Sequence, residues 1–143
     1  MSRLIEQDIK PDNILISESG VMKLSDFGLG AQLEHSCSKR NNVCGTSLYM
    51  APEVYGEGAE LKSDVWALGI SIIEMAEGKN PFAGMTPEKI MSQVVIEPSP
   101  MLSASKWSSD LVDFVSRCLV KDAKKRASVA ELLEVVLDEG YDD

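Results

Sequence analysis

The 143-residue chain is 44% hydrophobic and 26% charged, and its 14 basic and 23 acidic side chains leave a net charge of −9. That length suits one domain able to bury about two-thirds of its unfolded surface, and the apolar share excludes a disordered chain. A field this negative repels phosphate backbones and anionic lipid heads, so neither nucleic acid nor a membrane surface is an expected partner.

In chain order, Asn13 to Ser17 and Val21 to Ser25 are runs rich in branched apolar residues, and Glu18, Ser19 and Gly20 between them supply turn chemistry. A hairpin is expected there. From Leu29 to Tyr49 the periodicity disappears and polar residues dominate, which predicts a long functional or mobile loop. Ser63 is placed to cap a helix over 64–77, with Gly78 as its stop. Apolar residues from Val65 to Ala76 cover nearly its whole circumference, so it is expected to be buried all round. The stretch 65–73 is interrupted by Gly69 and Ser71 and is far too short to span a bilayer. Thr86 and Pro87 open a short helix to Val95. Ser108 starts another, with Leu111, Val112, Phe114, Val115, Cys118 and Leu119 at three-to-four spacing. Ser128 and Glu131 form a capping box ahead of Leu132, Leu133, Val135, Val136 and Leu137. The fold class is mainly α: a small β-hairpin followed by a helical bundle.

Cys37, Cys44 and Cys118 are odd in number and lack a Cys-x-x-Cys pair, and the one histidine, His35, is not at metal-ligand spacing from them. Free thiols are the expectation, with Cys118 a small core residue. The first residues lack a signal peptide's apolar run, so a cytoplasmic location is expected. Lys121, Lys124, Lys125 and Arg126 read as a solvated basic face apart from Arg126, and residues 139–143 as a frayed acidic tail.

Three motifs occur in order: Asp8-Ile9-Lys10-Pro11-Asp12-Asn13 before the hairpin, Asp26-Phe27-Gly28 after it, and Ala51-Pro52-Glu53 closing the loop. Phosphoryl transfer asks for such residues: a carboxylate at Asp8 to take a hydroxyl proton, a cation at Lys10 near the transferred group, and oxygen ligands at Asn13 and Asp26 for magnesium. The three motifs resemble those of the serine/threonine protein kinases, with residues 1–138 similar to the carboxy-terminal lobe. Strings such as Ser63-Asp64-Val65-Trp66 and Ile73-Glu74-Met75-Ala76-Glu77-Gly78 resemble the germinal-centre-kinase branch of the sterile-twenty group. The resemblance implies ATP and magnesium as cofactors and a protein as substrate or partner. It also implies Leu15 as the floor under adenine, the Thr46 hydroxyl on Asp8 and Lys10, and Asp64 anchoring the catalytic loop. Glu53 and Arg126 would form an ion pair.

The sequence departs from the family where Glu6-Gln7-Asp8 replaces His-Arg-Asp and Asn42 stands at the position of the activating threonine. Ser36, Ser38 and Ser47 remain as candidate phospho-acceptors. Within these 143 residues there is no Gly-rich phosphate loop and no strand lysine for the phosphates. Positioning is most of the mechanism, so the lone chain is expected to be inactive and to self-associate through the uncovered surface facing the upper lobe. The alternatives are a pseudokinase-like interaction module and a truncated product without a selected function.

Overall fold

Glu18, Ser19 and Gly20 reverse the chain as their composition predicts. The Gly20 amide donates to the Ser17 carbonyl at 2.9 Å, and Gly20 sits at φ 82°, where a side chain would be strained. The computed structural model describes residues 8–25 and 47–138. Strands β1 (Ile14–Ile16) and β2 (Met22–Leu24) pair antiparallel in the register Ile14 to Leu24, Leu15 to Lys23 and Ile16 to Met22. They are shorter than the expected runs because Asn13 belongs to the 3-10 turn Pro11–Asn13. Main-chain bonds from Ser25 to Asn13 and from Ser17 to Val21 still close both ends of the ladder. Most of the predicted loop, and the acidic tail with it, lie outside the described residues; its end is a 3-10 turn at Ser47–Tyr49, followed by another at Pro52–Tyr55.

Four helices follow among the described residues: α1 (Ser63–Glu77), α2 (Pro87–Val95), α3 (Ser109–Cys118) and α4 (Val129–Asp138). Three begin at the predicted signals. Thr86 Oγ1 accepts the Lys89 amide, Ser108 Oγ accepts the Leu111 amide, and Ser128 and Glu131 accept each other's amides. The fourth does not. Ser63 lies inside α1, and its hydroxyl instead accepts the Glu60 amide and donates to Glu53 Oε1 at 2.7 Å. Gly78 ends α1 in the left-handed conformation as predicted.

Helix α1 is the spine of the core. Val65, Trp66, Ile70 and Ile73 are buried against Val115 and Cys118 of α3 and Leu119 just after it, with Ile90 and Val94 of α2 and Leu132 of α4 in the same cluster. Burial is not all round: Asp64, Leu68 and Ile72 are only half-buried, and Met75 and Glu77 reach solvent in the last turn. Gly69 lets α3 come close: a Cβ there would stand 2.8 Å from Cys118 Cβ and from Leu119 Cδ2. Cys118 is fully buried, and burial pushes its thiol up to about 12, against the opposing pull of Arg126. Helix α1 packs on the turn Pro11–Asn13 and on Ser47–Tyr49, so one rigid helix sets the height of both segments.

Candidate active site

Pro11 sits at the first position of the 3-10 turn, where its fixed φ suits a helix start and its missing N–H costs nothing. The turn delivers Asn13, 8% exposed, directly beneath Asp8. Asn13 Nδ2 donates to the Asp8 carbonyl and to Asp8 Oδ2, both at 2.9 Å, so both hydrogens of the carboxamide are committed to one residue. Lys10 Nζ lies 3.7 Å from Asp8 Oδ1. A carboxylate so held has one oxygen fixed by a neutral donor and the other next to a cation, while staying about a fifth exposed and open to a hydroxyl. With its nitrogen committed to Asp8, Asn13 keeps Oδ1 as a neutral oxygen of the kind magnesium prefers.

Asp26 and Thr46 lie outside the described residues, as do Glu6, Gln7, Phe27, His35, Ser36, Cys37, Ser38, Asn42 and Cys44. Leu15 lies in β1 and is 57% exposed, among a group with Ile16, Val21, Met22 and Leu24 that is also largely uncovered. Asp64 stands in the first turn of α1, the helix that packs on the turn Pro11–Asn13. Ser47 opens the 3-10 turn that ends at Tyr49.

Glu53 and Arg126 meet 73 residues apart in sequence, with a bidentate pair at 2.7 and 3.0 Å. The guanidinium is fully buried and all five of its N–H groups have acceptors: Nε on the Val120 carbonyl, Nη1 on Glu53 and the Lys62 carbonyl, Nη2 on Glu53 and the Lys121 carbonyl. Its Cζ lies over the Trp66 ring, 5.3 Å from the centroid. Burial alone would raise the Glu53 carboxyl, but hydrogen bonds from Arg126 and Ser63 outweigh it and hold the group below its ordinary value. The pair therefore ties the segment after Ala51-Pro52 to the turn between α3 and α4.

Sequence reasoning missed three arrangements. Lys62 Nζ returns the contact to Arg126 by donating to its carbonyl at 2.7 Å. Lys121 is not simply solvated, since its ammonium donates to the carbonyls of Val95 and Glu97 at the end of α2, while Lys124 and Lys125 are exposed as expected. Tyr49 donates to Glu74 Oε2 at 2.5 Å, and Asn80 Nδ2 donates to the same oxygen at 3.1 Å. No local pattern announces these contacts, because each joins segments distant in sequence or depends on a loop's path. A groove of about 370 Å³ between α3 and α4, lined by Arg117, Val120, Lys125 and Glu131 among others, is remote in sequence from this chemistry and has a rim of mixed charge.

Comparison with known proteins gives the same reading. The protein kinase domain family matches residues 2–137. Serine/threonine-protein kinase hippo of Drosophila melanogaster is 44% identical over 136 residues, covering 94% of this chain and 20% of the relative. Serine/threonine-protein kinase 1 of Arabidopsis thaliana is 48% identical over 132 residues, covering 91% and 16%. Serine/threonine-protein kinase 4 homolog B of Dictyostelium discoideum is 46% identical over 132 residues, covering 91% and 12%. The chain thus spans a fifth or less of the length of these relatives. With its hairpin, its helical bundle and the Asp8–Asn13 turn, it belongs to the protein kinase domain family and is similar there to serine/threonine kinases of the sterile-twenty type.

Proposed function

We propose that this chain carries the catalytic turn of a serine/threonine kinase that transfers the γ-phosphoryl group of ATP to a protein hydroxyl. The observation that carries the reading is the double hold of Asn13 on Asp8 at 2.9 Å with Lys10 on the opposite oxygen. In this role Asp8 orients the substrate hydroxyl and receives its proton as the oxygen bonds to phosphorus. Lys10 sits where negative charge gathers on the transferred group. Asn13 Oδ1 and the Asp26 carboxylate would hold magnesium, which when bound neutralises phosphate charge. Leu15 would lie under the adenine, and Thr46 would bond to Asp8 and Lys10. Asp64 would anchor the catalytic turn, and Glu53 with Arg126 holds the segment in place without touching substrate.

On this reading the 143 residues alone do not turn over. A Gly-rich loop and a strand lysine are absent from their sequence, and positioning supplies most of the rate. A steady-state assay with magnesium-ATP and a serine/threonine peptide tests this on two proteins: the chain alone, and the chain joined to the upstream lobe of the Drosophila relative. Turnover only by the joined protein is the expected result. A folded joined protein without turnover would overturn the reading.

A second reading has its own support in the hairpin, where Leu15, Ile16, Val21, Met22 and Leu24 are 40–63% exposed. Ile16, Met22 and Leu24 share one face of the hairpin and Leu15 lies on the other, and exposed apolar side chains of this kind favour a protein partner or a second copy of the chain. No helix among the described residues is long and apolar enough to cross a membrane.

A further inference from the structure

Asn80 is 5% exposed, a buried polar side chain in the loop that follows α1. Both ends of its carboxamide are used. Nδ2 donates to Glu74 Oε2 at 3.1 Å, and Oδ1 accepts the Phe82 amide at 2.9 Å. The same Glu74 oxygen takes the Tyr49 phenol at 2.5 Å. One carboxylate oxygen thus has two donors converging on it from two segments, and α1, which carries Glu74, packs on Ser47–Tyr49 and on the catalytic turn. Burial raises the Tyr49 phenol above its ordinary value, and its bond to Glu74, the charge of Glu74 and that of Asp12 in the catalytic turn act the same way, with Asn80 acting against them. Tyr49 is therefore tied to α1, the helix that also packs on the turn Pro11–Asn13.

We propose that Asn80 is a positioning residue for phosphoryl transfer: it orients the Glu74 carboxylate, which holds Tyr49 and so fixes the segment Ser47–Tyr49 beside the catalytic turn. The inference rests on the kinase reading above. Only a side chain that both donates and accepts does this at position 80, because Glu74 needs a donor and the Phe82 amide needs an acceptor. A merely structural asparagine would need only the second contact, which makes a loop turn of a common kind.

Asn80→Asp separates the two roles, since a carboxylate still accepts from Phe82 but cannot donate to Glu74 while ionised. In the joined kinase, peptide turnover by N80D at pH 8 is expected to fall about tenfold or more, with the KM for ATP close to that of the parent and the melting temperature lowered, since a buried carboxylate then faces Glu74 without a counter-charge. Lowering the pH to about 6 should bring the ratio of variant to parent back toward one, because two facing carboxyls then share a proton that restores the donor. Tyr49→Phe should show a comparable loss without that recovery, and the double variant should be no worse than either single one. If N80D unfolds, Y49F carries the test, its loss of turnover at unchanged KM for ATP being the supporting result. Parent-like turnover by N80D or Y49F, or fully additive losses, would overturn the inference while leaving the kinase reading intact. A parent without turnover would overturn the kinase reading and this inference with it.

Discussion

Replacing Glu53 by alanine is the most informative single change to the fold. It leaves Arg126 fully buried with carbonyl acceptors at Val120, Lys62 and Lys121 but no counter-charge. Removing one partner of a buried ion pair costs about 3–5 kcal/mol, against about 5–15 kcal/mol for the whole stability of a typical domain. Two observations place this pair at the upper end. The bond is bidentate at 2.7 and 3.0 Å, and Ser63 loses its acceptor at the same time. At about 3–4 °C per kcal/mol for a chain of this size, the melting temperature should drop by roughly 10–20 °C. Urea unfolding of the 143-residue chain, followed by circular dichroism, measures the change. Glu53→Gln keeps the size and one acceptor oxygen and should lose less. The Glu53 pKa is depressed in the folded chain, so its stabilisation is complete above the unfolded value and is lost as pH falls through the lower folded one. The gap between parent and E53Q should therefore narrow below pH ~4. An E53A chain within about 1 kcal/mol of the parent would refute the argument that an uncompensated guanidinium is what the fold avoids.

Gly69→Ala would place a methyl 2.8 Å from Cys118 Cβ and Leu119 Cδ2, in the α1–α3 contact, and should cost about 1–3 kcal/mol by the same unfolding assay. Cys118, with its thiol pushed up to about 12, should resist alkylation at neutral pH until the chain unfolds, as followed by mass spectrometry of its peptide; fast labelling of the native chain would contradict its burial. Leu15→Lys together with Met22→Lys should reduce association in sedimentation experiments and leave the melting temperature nearly unchanged, since both side chains are more than half exposed. An unchanged sedimentation profile from an associating parent would move the association surface elsewhere.

Local chemistry made much of this fold readable. Thr86, Ser108 and Ser128 are short polar side chains ahead of periodic apolar runs, and each caps the helix it announces. Ser63 has the same local signature but faces Glu53 across the fold, and that long-range contact takes its hydroxyl away from the helix end. Asp8, Lys10 and Asn13 fall together because a proline-started turn spans only a few residues, so spacing and geometry nearly coincide. The Tyr49, Glu74 and Asn80 group has no such signature, because its main bond joins residues 25 apart through the path of two separate loops. Arg126 was legible as a charge in a basic cluster and by resemblance as the partner of Glu53. Its carbonyl acceptors at Lys62, Val120 and Lys121 are visible only once α1 and the α3–α4 turn are packed together.

The central claim is that Asp8 serves as the proton-accepting carboxylate of a kinase, and one variant addresses it directly. Asp8→Asn in the joined protein keeps the side chain's size and an oxygen for Asn13 but removes the base. The account predicts a loss of about 10²–10⁴ in kcat for peptide phosphorylation, with the KM for ATP little changed. A D8N protein that phosphorylates the peptide at the parent rate would contradict it.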